Sequence, residues 1–292
     1  MFHASSSSAG HDRYSPPVAA VTTARMTNPY LELTAELNRG RLRALISSGQ
    51  AVVMHRLAIM SKDGDWILRE DSEATAHGIA VLARRGARYR FGAPLDSRWL
   101  GGGWSSHFEM RHGPLRLRAD FVTRPPRVAA GELAEVWAAA EASGNEVVPL
   151  EPLAALKMTR REKDYVVIGE LARRMSDPRS RLLYSRSARD LIALSAEEPT
   201  LLDELAPRRP LLALVAAGRE ALEEALDRER RTLIHADEKR IARYQQAAEP
   251  WAAIWPEVAR EIADLPLEEA QVVVAARAED VLPFAPPLGG PL

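Results

Sequence analysis

The sequence predicts an α+β half followed by an all-α half, and three observations carry that reading. Residues 115–122 alternate Leu115, Leu117, Ala119 and Phe121 against Arg116, Arg118 and Asp120, the period of two of a half-buried strand. Short apolar runs at 66–68, 89–91 and 108–110 read as further strands. From Glu151 onward apolar residues recur at helical spacing, which predicts helices over 151–175, 181–196, 210–246 and 249–263. In the first half, Leu33, Leu37, Leu42, Leu45 and Ile46 predict a helix over 30–46, and a Ser with early acids starts another over 72–85. Gly101, Gly102 and Gly103, between Trp99 and Trp104, form a loop or hairpin connection. The division expected is a polar, Ser-rich disordered leader over 1–27, an α+β unit over 28–150, a helical unit over 151–280 and a Pro-rich tail over 281–292.

Composition narrows the function. With 292 residues, 46% hydrophobic and 27% charged, the chain is that of a globular protein with a substantial core. The 39 basic and 40 acidic residues nearly cancel, so a polyanion has to be met by a local patch. The absence of cysteine excludes disulfides, thiolate zinc sites and cysteine nucleophiles. No apolar run reaches the roughly 20 residues needed to span a bilayer, and a cytoplasmic setting is expected. Only four basic residues are lysines, and three of them (Lys62, Lys157, Lys163) fall in or beside the two motifs that follow.

Asp63 and Asp65 lie two apart, just before the apolar run 66–68. In a strand, residues i and i+2 point to one face, so the two carboxylates converge. Their repulsion invites a divalent cation, and Asp120 on another predicted strand offers a third hard oxygen donor, a set that suits Mg²⁺. The plainer alternative is a solvated charged turn ahead of a strand. Together with Ser48-Gly49 upstream, the pattern resembles the nucleotidyltransferase superfamily of the DNA polymerase beta type. In that superfamily a small-residue pair, a spacer of about a dozen residues, an Asp-x-Asp on a strand and a later Asp occur in this order. The run 49–55 is more specifically similar to the bacterial AbiEii-type toxin branch. The resemblance implies a small mixed nucleotidyltransferase-type sheet flanked by helices, with an all-α C-terminal region. It also implies Mg²⁺ held by Asp63, Asp65 and Asp120, and an NTP whose phosphates meet Ser48 and Gly49.

A second motif lies in residues 151–164. Lys157, Arg160 and Asp164 follow helical spacing within an otherwise apolar stripe, with Arg161 beside them. Buried charge has to be paired or used, which points to triphosphate binding; an Arg160–Asp164 pair on a solvated face is the alternative. The AbiEii-like branch carries a similar Lys-Arg-Lys-Asp helix after its sheet, which implies that Lys157 contacts donor phosphates and that Asp164 orients the neighbouring cations. Between Lys157 and Arg189, ten basic residues face four acids, a strip that either holds RNA or is simply solvated. His55 reads as a packing residue, His107 and His112 as flanking a strand with no partner at metal-ligand spacing, His235 and Asp237 as a poor metal site, and Trp251 with Trp255 as core.

The expected activity is Mg²⁺-dependent transfer of a nucleotidyl group from an NTP to an acceptor hydroxyl. By analogy the acceptor is tRNA, in a toxin or defence setting with a cognate antitoxin protein as partner. Three departures define the alternative: Ser48 for the usual first glycine, Gly64 for the apolar residue between the acids, which is expected to loosen that strand's anchoring, and the long gap from Asp65 to Asp120. That alternative is a catalytically inactive protein of this fold that binds a nucleotide or a partner.

Overall fold

The computed structural model describes residues 28–286; the leader expected over 1–27 and the last six residues lie outside that range. The chain runs α1 (Pro29–Leu37), β1 (Ala44–Ser47), α2 (Ser48–Met54), β2 (Asp63–Leu68), α3 (Ser72–Arg84), β3 (Arg88–Tyr89), α4 (Ser97–Leu100), β4 (Ser106–His112) and β5 (Leu115–Val122). Eight further helices follow: α5 (Ala130–Ser143), α6 (Leu150–Leu156), α7 (Glu162–Arg174), α8 (Pro178–Tyr184), α9 (Ala188–Glu197), α10 (Thr200–Leu205), α11 (Arg219–Glu261) and α12 (Leu267–Glu279). A 3-10 helix over Pro210–Ala217 precedes α11. The five strands form a mixed sheet in the order β1-β2-β5-β4-β3, so the predicted α+β class with an all-α C-terminal region is the observed one.

Among the five strands of the described residues, β2 and β5 are the pair that runs in parallel, with Asp65 directly beside Asp120 and Trp66 beside Phe121. The period of two then assigns the two faces. One face carries Trp66, Ala119 and Phe121 into the core, where Trp66 stacks on Phe121 with ring centroids 5.3 Å apart and donates its indole N–H to Thr34 of α1. The other face carries Asp63, Asp65, Arg118 and Asp120. Gly64, between the first two acids, opens space on the core face: a Cβ there would sit 2.4 Å from the Trp66 ring and 2.6 Å from the Tyr30 ring. The expectation that Gly64 loosens β2 is therefore corrected. The Trp66 ring fills the space, and the Tyr30 hydroxyl ties down the strand's entry by donating to the Lys62 carbonyl at 2.7 Å.

Several predicted boundaries move. The helix expected over 30–46 ends at Leu37; Leu45 and Ile46 lie in β1, an edge strand whose four residues are all buried, and that burial overrides helical spacing. The helix expected over 151–175 breaks between α6 and α7, and that expected over 181–196 breaks at 185–187. Conversely, α11 continues for 43 residues through Pro250 and Pro256. An interior proline costs about 3 kcal/mol, and burial of Ala248, Trp251 and Val258 against Trp99 and Trp104 offsets it. The first part of the expected tail is tied down: Trp99 and Trp104 donate their indole N–H groups to the carbonyls of Leu282 and Pro283.

Gly64→Ala is expected to destabilise the protein by about 1–3 kcal/mol through overpacking. Gly131→Ala in α5, where a Cβ meets nothing within 4 Å, is expected to be neutral or slightly stabilising. Urea denaturation of both variants decides the point, and equal midpoints would refute the packing account of Gly64.

Candidate active site

The site grows from the register of β1, β2, β5 and β4. Ser47 of β1 lies opposite Asp65, Asp65 lies beside Asp120, and Asp120 lies opposite His107 of β4. All three predicted acids reach the same face of the sheet. They do not form a closed cage: among the described residues, no three acidic or His side chains meet at metal-ligand spacing. Two carboxylates on this face are nevertheless incompletely satisfied. Asp63 Oδ1 is a buried atom with no hydrogen-bond partner, and its ion pair with Arg118 is long, at 3.6 Å. The Asp65 carboxyl is pushed up to about 6, first by burial and then by the charge of Asp120. A divalent cation supplies what both groups lack, so the residues present fit Mg²⁺ on donor chemistry.

Ser48 opens α2 with φ +51°, the left-handed region where a non-glycine residue costs roughly 1–2 kcal/mol. The serine thus adopts the conformation a glycine would take freely. Its hydroxyl acts on the Asp65 carboxylate and favours the charged form. Gly49 follows with no space to spare, since a Cβ would come within 2.3 Å of Ser61 Oγ. Gln50 and Ser61 secure the turn from α2 into β2 through the Ser61 and Asp63 carbonyls.

The second motif is brought to the site by a helix break. Lys157 caps the C-terminus of α6 and is buried, with its Nζ 3.8 Å from Asp164 Oδ1 in the first turn of α7. Burial holds the Lys157 ammonium below the usual lysine range, opposed by Asp164 and Asp65. Asp164 also accepts from Thr159 Oγ1 at 2.6 Å and from Arg161 Nε at 3.0 Å. The shared helical face expected for Lys157, Arg160 and Asp164 is corrected. Lys157 and Asp164 meet across the break, whereas Arg160 and Arg161 are exposed. What brings Arg160 close is its backbone N–H, which donates to Asp237 of α11 at 2.9 Å.

Asp237 holds the break in place. It is buried, it accepts from Arg127 Nη1 at 2.7 Å and from Arg240 Nε at 3.1 Å, and Arg127 in turn donates to the Ala155 and Leu156 carbonyls at the end of α6. Burial raises the Asp237 pKa, but the Arg127, Arg160 and Arg240 contacts overcome it and leave the carboxyl below its ordinary range.

His107 joins no metal-ligand cluster among the described residues, but it has close partners that spacing along the chain does not show. In the folded chain its Nδ1 lies 2.7 Å from Asp120 Oδ1, its Nε2 lies 2.9 Å from Ser105 Oγ, and Arg90 Nη1 stands 3.6 Å from the same Asp120 oxygen. The signal was available in the sequence: a two-residue turn at Gly113-Pro114 pairs His112 with Leu115, and counting back along both strands sets His107 against Asp120. His55 Nε2 contacts the Val148 carbonyl at 2.9 Å, a packing role. His112 stands 4.0 Å from Glu32, and Trp251 is buried as expected. Among the described residues no helix is long and apolar enough to cross a membrane.

No protein-family model matches the chain, and no curated protein matches it. Among solved structures, an H. pylori protein with a provisional nucleotidyltransferase designation aligns at 12% identity and a TM-score of 0.34, over 72% of this chain and 96% of that one.

Because the folded-state pKa of Asp65 lies above its unfolded value of 3.8, the native state binds the extra proton. Stability contributed by this group is then present below about pH 4, is lost as pH rises toward 6, and stays lost above it. In metal-free buffer, Asp65→Asn is expected to raise stability at pH 7.5 by on the order of 1–3 kcal/mol and to change it little at pH 3.5. Denaturant melts at the two pH values test this, and a variant less stable than wild type at pH 7.5 would refute it. Asp237→Ala is expected to cost about 3–5 kcal/mol, because it leaves Arg127 and the Arg160 amide unpaired.

Proposed function

We propose that the protein is a Mg²⁺-dependent nucleotidyltransferase that moves a nucleotidyl group from an NTP to an acceptor hydroxyl. The observation that carries this reading is the placement of Asp65 beside Asp120, with Asp63 on the same face and buried Lys157 acting on Asp65. Burial and the neighbouring Asp120 disfavour the charged form of Asp65 unless a cation joins the two, and Lys157 is the buried cation beside them that can meet an anion there. Asp63, Asp65 and Asp120 would hold Mg²⁺, which when bound supplies Lewis-acid polarisation of the reacting phosphoryl oxygens.

The remaining roles fall to the chain's own groups. Lys157 neutralises the donor's phosphate charge as pyrophosphate leaves, held in position by Asp164. Ser48 and Gly49 let the backbone approach the phosphates closely. Asp120 accepts the proton of the acceptor hydroxyl, and His107 and Arg90 fix the orientation of its carboxylate. Arg161, exposed and paired with Asp164, lies at the phosphate end; Arg160 contributes mainly through its backbone. A tRNA acceptor, a toxin or defence role and a cognate antitoxin rest on the family resemblance alone.

One observation favours a second reading. Asp120 Oδ1 already engages His107 and Arg90, which fits a chain that binds nucleotide without turning it over. One experiment separates the two: incubation with Mg²⁺, each α-labelled NTP and total RNA. Transfer of label that falls about a hundredfold or more in Asp63→Ala supports the enzyme. A rise in Tm with Mg²⁺ and NTP but no transfer supports the binding protein, and neither response refutes both. Lys157→Met is expected to raise the KM for the NTP about tenfold or more, checked by steady-state kinetics with the acceptor saturating.

A further inference from the structure

A cavity of about 460 Å³ lies between α11 and the segments flanking β3 and β4, within the usual range for small-molecule sites. Phe91, Trp104 and Tyr244 contribute aromatic walls, and its ionisable lining is Arg240, which also pairs with Asp237, together with His107 and the exposed Glu249. Phe91 is 44% exposed although it is a large apolar side chain beside polar groups. Trp104 and Tyr244 meet edge to face at 5.1 Å, and the Arg240 guanidinium stands 5.7 Å from the Tyr244 ring. The lining therefore combines flat apolar surface with a cation, the chemistry that binds a nucleobase and its phosphate.

Its place relative to the carboxylates gives the cavity a role. His107 lines it, and the same ring contacts Asp120 at 2.7 Å. Gly92 makes this shared ring possible, because a Cβ there would come within 2.6 Å of the His107 ring. Across the sheet the order is Ser48 and Lys157 by β1 and β2, then Asp65, then Asp120, then His107, then the aromatic cavity beyond β4. In phosphoryl transfer the attacking and leaving oxygens are roughly in line. If pyrophosphate leaves toward Lys157, the attacking hydroxyl enters from the Asp120 and His107 side, where the cavity stands.

We propose that this cavity binds the nucleobase of the acceptor, so that the acceptor is a nucleotide or the end of a nucleic acid strand, with Arg240 beside its phosphate. The assignment rests on the nucleotidyl-transfer reading for the direction of attack. In the transfer reaction, the acceptor hydroxyl oxygen forms the new bond to the donor α-phosphorus, the bond to the pyrophosphate oxygen breaks, and the hydroxyl proton passes to Asp120.

The test is direct binding, independent of turnover. AMP, CMP, GMP and UMP are titrated separately by calorimetry, with ribose 5-phosphate as the probe that lacks a base. Two variants accompany the wild type: Phe91→Ala, which removes one exposed wall, and Ala252→Trp, which fills the cavity from an exposed position of α11. Saturable binding of at least one monophosphate but not of ribose 5-phosphate, weakened about fivefold or more in both folded variants, is the expected result. Titrations are repeated with α,β-methylene-ATP and Mg²⁺ present. Undiminished binding supports the acceptor assignment, whereas competition assigns the cavity to the donor base and overturns it. No monophosphate binding, or binding indifferent to both variants, also overturns it. Transfer to RNA without monophosphate binding condemns the cavity and leaves the reaction standing; binding without transfer in the labelling assay condemns the reaction instead.

Discussion

The parallel register of β2 and β5 is the constraint on which the site depends. It sets Asp65 beside Asp120, and burial together with that adjacency raises the Asp65 pKa and fits the pair to a divalent cation. A slip of one residue would turn Asp120 to the core face and Phe121 to the polar one. The register is held from the opposite face, where Trp66 stacks on Phe121 and packs over Gly64. Packing in the apolar layer thus positions charge in the polar one, and a change that loosened the core would be felt first as a misplaced carboxylate.

The helical half completes the site from the other side. Lys157 arrives where α6 stops, and α6 stops where Arg127 caps its last carbonyls and Asp237 captures both Arg127 and the Arg160 amide. Arg127 itself takes φ +67°, a conformation disfavoured for a side chain of its type and held by three partners. Asp237 belongs to α11, the helix that also walls the aromatic cavity. One long helix therefore both anchors the cationic side of the site and faces the side where Asp120 and His107 lie.

Much of this was legible in the sequence where the signal was local and periodic. The alternation at 115–122 identified β5 and its faces, and the spacing of Asp63 and Asp65 identified a convergent pair. The misreadings share a cause: tertiary packing overrode local pattern. Leu45 and Ile46 have helical spacing but sit in a buried strand, the break expected between 246 and 249 falls inside a continuous helix, and Lys157, Arg160 and Asp164 look like one face but are divided by a break. His107 was missed for a different reason. Its partner is thirteen positions away along the chain and adjacent only across the hairpin, so spacing along a single element could not show it.

Ser48 and Gly64, two of the departures from the motif that the sequence resembles, take on a different meaning in the folded chain. Each breaks a local rule: a serine in the left-handed region, and a glycine inside a strand. Each also lies against the same carboxylate, Ser48 through its hydroxyl and Gly64 through the backbone of its own strand. Gly64 is compensated by the Trp66 and Tyr30 rings that occupy its space, and Ser48 by what its hydroxyl does for Asp65. Other violations, such as Arg127 at φ +67° and the prolines inside α11, lie elsewhere in the fold and are compensated by their own partners. What sets Ser48 and Gly64 apart is that both compensations bear on the strand that carries Asp65, so the same contacts that absorb the cost also fix where that carboxylate sits.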